Sequence, residues 1–301
     1  MRSLWFALLL SGCVTLDVGP DHVLHPRLDE VTDGLALDPA AVAAAAPGTT
    51  LEPLPITATD GTPLSGLRAR HAAPDGARPT VLYFGGNSFR VSWLGMKKLV
   101  PLLRLGADVV LVDHRGYGRS GGTASVEALK ADALAWFDAV AAEVGAERVV
   151  VHGHSLGSFL ASHVGAHREA GGVVLENSAT TTEAYAEARL NAVPVLRPFI
   201  RLRVDEALRG EGSLGPVREI RSPLLLLAGA LDGRIPAWMS EELYAASPLP
   251  PGRKRLAVFA FVDHNRVPFD ADFPRVYRSF LALVRAESSG RRRQAVGAKS
   301  P

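Results

Sequence analysis

The sequence predicts an α/β protein: a mostly parallel central sheet with helices on both faces and a small cap insertion. Three observations lead there. From residue 80 onward, short apolar runs alternate with segments of helical spacing. Glycine-rich turns separate these units. The length, 301 residues with 47% hydrophobic and 21% charged, suffices to bury such a sheet without covalent staples. The single cysteine, Cys13, rules out an internal disulfide and a cysteine-based zinc site. Thirty-three Lys and Arg stand against 31 Asp and Glu, a net charge of +2. That balance argues against nucleic acid as a partner.

Taken in chain order, Met1-Arg2-Ser3 precedes an apolar run at 4–10 and then Ser11-Gly12-Cys13. This reads as a secretory signal over residues 1–12. Leu10-Ser11-Gly12-Cys13 resembles the lipobox of bacterial lipoproteins. The resemblance implies cleavage before Cys13, lipidation of its sulfur and attachment to a membrane of the bacterial cell envelope. No later apolar run approaches the roughly 18 residues that span a bilayer. Residues 13–50 are rich in Pro, Asp and Ala and read as a tether with one short helix at 39–46. His22 and His25 in it read as solvated.

The main domain is expected over residues 51–286. Residues 51–59 and 64–71 read as a hairpin across Asp60-Gly61. Strands follow at 80–84, 108–112, 148–152, 172–175, 223–228 and 254–261. Helices are expected at 92–105, 126–144, 156–168, 237–246 and 273–285. The helix at 126–144 is the clearest, with Val126, Leu129, Ala133, Trp136, Phe137, Val140 and Val144 on one stripe. Residues 180–215 break the rhythm, and Pro194 and Pro198 interrupt them; they read as the cap. Residues 287–301, with Arg291-Arg292-Arg293, read as a disordered polar tail.

The chemistry centres on Gly153-His154-Ser155-Leu156-Gly157, set between a strand and a helix. Gly-x-Ser-x-Gly in that context is a nucleophile elbow. The serine sits on a strained turn, and side chains two positions either side would strike backbone. Serine needs a base and an orienting acid to become a nucleophile. In this arrangement the chain order is serine, acid, histidine. Asp232 follows the strand at 223–228, and His264 follows the last strand. His264 is the last histidine, and none lies between it and His167. Glu176 and Asp263 are the alternative acids. Two amide donors are needed for the oxyanion. Leu156 supplies one, and Asn87, in Gly85-Gly86-Asn87-Ser88, is the expected second. Gly86 and Ser88 are the neighbouring alternatives.

Together with Asp113-His114-Arg115-Gly116-Tyr117-Gly118-Arg119-Ser120-Gly121 and the run at 229–236, these motifs resemble the α/β-hydrolases over residues 51–285. The resemblance is to the serine-aminopeptidase-like and depalmitoylase-like branch. It implies hydrolysis of an ester, thioester or amide through an acyl-serine, with no cofactor. A carboxylesterase acting on a small-molecule acyl ester or related substrate is the leading expectation, and the apolar cap and the anchor favour a medium acyl ester or lipid-derived substrate. The alternatives are a catalytically retired binding lipoprotein and an acyltransferase using the same triad. Two departures stand out. Gly85-Gly86 replaces the usual His-Gly, and Asp263 replaces the usual glycine before the histidine, where it is placed to salt-link across the mouth. The loop 113–121 reads as structural, with Tyr117 lining the pocket. The pairs His152/His154 and His163/His167 lack an acid partner at metal-site spacing, so no metal is expected. Arg197, Arg201 and Arg203 read as a solvated basic face, with an anionic head group as the alternative. Tyr185, Val193, Val195, Leu196, Phe199 and Ile200 read either as roofing an acyl pocket or as packing inside the cap.

Overall fold

The structure, a computed structural model, describes residues 14–24, 37–72, 76 and 78–297. Cys13, the leader before it and His25 lie outside the described residues. The described chain begins with β1 (Val14–Val18), α1 (Pro20–Val23) and α2 (Pro39–Ala45). The hairpin β2 (Thr49–Thr57) and β3 (Pro63–His71) follows, then β4 (Thr80–Phe84), α3 (Val91–Leu103), β5 (Asp108–Val112) and α4 (Val126–Val144). Next come β6 (Val149–His154), α5 (Leu156–His167), β7 (Gly172–Glu176), α6 (Thr182–Asn191), β8 (Ile200–Val204) and α7 (Leu214–Val217). The chain closes with β9 (Leu224–Gly229), α8 (Ala237–Ala246), β10 (Lys254–Phe259) and α9 (Phe273–Gly297).

Eight strands form one sheet in the order β10-β9-β7-β6-β4-β5-β3-β2. Only the β2–β3 and β3–β5 pairs are antiparallel; the other pairs are parallel. The apolar runs have this cause. A parallel strand covered on both faces must be hydrophobic at every position, and all five residues of β4 are buried. Alternate residues feed two cores. Val81 and Tyr83 point to the face of α3 and α9, Leu82 and Phe84 to the face of α4 and α5. Trp136 and Phe137 seal the second core, and Trp136 explains Gly66, since a Cβ there would lie 2.8 Å from its ring.

Three segments differ from the sequence reading. Residues 14–24 are docked on the body. β1 pairs in parallel with β8, Val14 opposite Ile200 and Val18 opposite Val204. Leu24 enters the second core, and Val42 on α2 enters the first. Composition hides this because β1 is only five residues and its partner lies in the cap. The cap itself contains that strand, in addition to α6. The polar tail continues α9 through Gly297. Glu287 pairs with Arg253 at 2.8 Å, and the buried Ser288 donates to Val284 O. These contacts carry the helix past the last apolar turn.

Candidate active site

The elbow is built by close backbone approach. Ser155 has φ 54° and ψ −118°, between the end of β6 and the start of α5. Asn177 is the other described non-glycine residue with positive φ. Such a conformation costs on the order of 1–3 kcal/mol and persists only where its surroundings enforce it. Here they do. A Cβ on Gly153 would lie 2.0 Å from Gly157 O, and one on Gly157 2.0 Å from Phe84 O. Ser155 N donates to Glu176 O at 2.9 Å, tying the turn to β7.

The acid and the histidine meet as their order in the chain suggests. His264 Nδ1 donates to Asp232 Oδ2 at 2.6 Å. The Asp232 side chain is fully buried. Its other oxygen accepts the amides of Arg234 and Ile235 at 2.8 and 2.9 Å. With Nδ1 donating, the Nε2 lone pair is free to take a proton. Ser155 and His264 line one cavity of about 380 Å³. Among the described residues no hydrogen bond joins the serine hydroxyl to the imidazole. Resting sites commonly tighten that contact only when substrate is bound.

Neither alternative acid reaches His264. Glu176 is bonded to Lys98 and His152, each at 3.1 Å. Asp263 is exposed and accepts Asn265 N. It lies 3.8 Å from Arg266, so it makes no link across the mouth.

The loop at 85–88 lies against the elbow. A Cβ on Gly86 would come 3.3 Å from Ser155 Cβ, and one on Gly85 would overlap the Phe89 ring. Asn87, Ser88, Leu156 and Ser155 all line the cavity. The loop is held from behind. Tyr117 OH donates to Asn87 Oδ1 at 2.6 Å, and His114 Nε2 to Gly85 O at 2.8 Å. Tyr117 is fully buried and does not line the cavity, contrary to the sequence reading. The rest of that loop is structural: Asp113 caps Val91 N, and Arg115 forks onto Asp132.

Three features escaped the sequence. First, His154 Nε2 and Asn177 Nδ2 both donate to the carbonyl of His264, each at 2.8 Å. Asn177 also receives Gly229 N. Burial, and then the Lys98 charge, hold the His154 imidazole well below its ordinary pKa, so it is a neutral donor. Second, Lys98 and Glu176 form a buried pair under the elbow. Burial pushes the Glu176 carboxyl up, but the Lys98 charge and the hydrogen bond from His152 outweigh it and hold the group well below the usual carboxylate range. The signal available was Glu176-Asn177, a polar pair ending an apolar strand. Third, His22, Val23 and Leu24 line the cavity, joined by Thr181, Thr182 and Tyr185 from the cap. Of the other histidines, His152 accepts from Tyr277 OH, and the rings of His163 and His167 meet on α5 with centroids 4.2 Å apart and a 37° tilt. Among the described residues no group of three or more His, Cys, Asp or Glu is arranged to hold a metal.

The arrangement is able to activate a hydroxyl, stabilise the resulting imidazolium and face an apolar substrate wall. Comparison with known proteins points the same way. The family model described as serine aminopeptidase, S33, matches residues 98–213. An uncharacterized protein of Mycobacterium tuberculosis (strain H37Rv) is 34% identical over 209 residues, covering 68% of this chain and 69% of its own. An uncharacterized protein of Escherichia coli K12 is 29% identical over 224 residues, covering 71% and 73%. A Pyrococcus furiosus esterase superposes with a TM-score of 0.60 at 21% identity, over 82% of this chain and 92% of that one. At that identity the likeness is one of fold.

Proposed function

Since this chain belongs to the α/β-hydrolase family, we propose that it is a serine hydrolase, a carboxylesterase working through an acyl-serine. The observation that carries the reading is the 2.6 Å contact of His264 with Asp232 in the cavity lined by Ser155. Ser155 Oγ attacks the acyl carbon, and its proton passes to His264 Nε2. The carbonyl oxygen takes the negative charge and is held by the amides of Leu156 and Asn87. Leu156 opens α5, so the positive end of that helix faces the same oxygen. Collapse expels the alcohol, which takes the proton from His264. A water then attacks the acyl-serine, giving its proton to the imidazole. Release of the acid returns that proton to Ser155. Asp232 keeps Nδ1 protonated throughout and offsets the imidazolium charge.

The substrate is a small acyl ester. The cavity falls in the range typical of small-molecule sites, roughly 300–1,000 Å³. Leu129, Phe159, Tyr185, Leu208 and Ile235 offer an acyl chain an apolar wall. Cys13 anchors the chain to a membrane of the bacterial cell envelope, on the strength of the leader and the lipobox resemblance. The test is a fluorophosphonate probe with p-nitrophenyl esters of increasing chain length. Wild type is expected to label and hydrolyse, and Ser155→Ala to do neither. Folded wild type that does not label overturns the reading in favour of a retired scaffold. Transfer to added glycerol outpacing hydrolysis points to an acyltransferase instead.

A further inference from the structure

The β1–β8 ribbon plays no part in the proposed reaction, yet its surface is unusual. Because the strands are parallel, both enter the ribbon at the same end, with Val14 beside Ile200. At that end β8 is fed by the cap turn at 193–199. There Val195 is 79% exposed, Leu196 48% and Phe199 46%. Across the ribbon Val14 is 64% exposed and Leu16 45%. Five exposed apolar side chains gathered at one end of a short ribbon point to an interaction surface. The arginines of β8 lie on the other face: Arg201 and Arg203 alternate with Ile200 and Leu202 and sit opposite Thr15 and Asp17, and Arg203 pairs with Asp17, while Arg197 in the turn pairs with Glu187.

Residues 1–13 join the ribbon at this same end. Consecutive Cα atoms are about 3.8 Å apart, so Cys13 is one step from Val14 wherever it points. The apolar run at 4–10 and the lipobox-like cysteine therefore connect to the molecule beside the exposed turn.

We infer that the cap turn and β1 form a surface that lies on a phospholipid bilayer. The inference rests on the reading that residues 1–13 attach the chain to a membrane. Apolar side chains inserted among head groups next to the point where an anchor joins the chain are the chemistry such an interface selects. The surface also orients the cavity. α6 runs from the cavity wall at Thr182 and Tyr185 to Asn191, two residues before Val193. Its ten residues span about 15 Å. β1 leads through α1 to the cavity wall at His22 and Val23. Both walls hang from the docked ribbon, so the substrate class is acyl esters resident in the bilayer interface.

The test uses the full chain reconstituted into vesicles of phosphatidylethanolamine and phosphatidylglycerol. A fluorophore on Val195→Cys is compared with one on Lys97→Cys, an exposed position on α3. Brominated lipids are expected to quench the label at 195 at least about fivefold more strongly. Equal quenching at the two positions overturns the inference. So does self-quenching between labelled copies without lipid, which shows a second copy covering the patch. In parallel, the double variant Val195→Asp/Leu196→Asp is expected to lose about fivefold in cleaving a vesicle-embedded monoacylglycerol. Its rate on soluble p-nitrophenyl butyrate should stay within about twofold, because neither residue lines the cavity. Equal loss on both esters overturns the docking claim. Failure of wild type to cleave either ester overturns the esterase reading while the quenching still reports on the surface. If wild type itself takes the thiol label, Cys13 is unacylated and the anchor reading fails. Flotation of that unanchored chain with vesicles then decides: loss of flotation in the double variant supports the surface, and no difference overturns it.

Discussion

Ser155, Asp232 and His264 are each held in place by backbone. Glycines enforce the φ of 54° at Ser155, two amides fix the Asp232 carboxylate, and the His264 carbonyl is clamped by His154 and Asn177. Asp232→Asn keeps the two amide contacts but presents the wrong partner to Nδ1. We expect kcat to fall by about 10³–10⁴-fold with little change in the unfolding midpoint, as read by ester hydrolysis and chemical denaturation. His163 gives a pH signature. Burial, and then His167, push its imidazole down to about 4, against an ordinary 6.5. Between these values the unfolded chain binds the extra proton, so stability is full above about 6.5 and falls as pH drops toward about 4. His163→Gln is expected to flatten that part of the stability profile. Unchanged acid sensitivity in the variant would count against it.

At the scale of elements, α3 and β7 are joined by the Lys98–Glu176 pair under the elbow. Breaking one half leaves an uncompensated buried charge. Glu176→Gln is expected to cost about 3–5 kcal/mol in urea unfolding, and Lys98→Met/Glu176→Leu much less. A single variant no less stable than the double one would mean that the pair is not structurally coupled. The sign with pH follows from the depressed carboxyl. Its contribution is present above the ordinary glutamate pKa and is lost as strong acid protonates it in the folded state. The parallel strands β4, β5, β6, β7 and β9 were legible as elements because burial on both faces demands continuous apolar runs. β8 was not: its alternation is that of a half-buried strand, but it is five residues long and follows Pro194 and Pro198, which mark the segment as irregular.

For the whole molecule, the N-terminal segment matters more than its composition suggests. It pairs with the cap and walls the cavity, so one short segment ties the N-terminal strand to substrate access. Cys13→Ser is expected to move the protein from the membrane to the soluble fraction and to abolish incorporation of a clickable palmitate analogue. Persistent membrane fractionation without any label would overturn lipidation at Cys13. Among the described residues no helix is long and apolar enough to cross a membrane.

What the sequence determined by itself was local. Gly153, Ser155 and Gly157 could be read because steric demand is set by residues in one turn. Asp232 could be read because it follows β9, whose burial at every position writes a continuous apolar run, and His264 because no other histidine occurs after His167. The tertiary structure alone decided the rest: β1 against β8, Lys98 against Glu176, and His154 and Asn177 on the His264 carbonyl. These contacts join positions from 78 to 186 residues apart. Several of them end on main-chain groups, which every residue carries alike, so no pattern of side chains announces them.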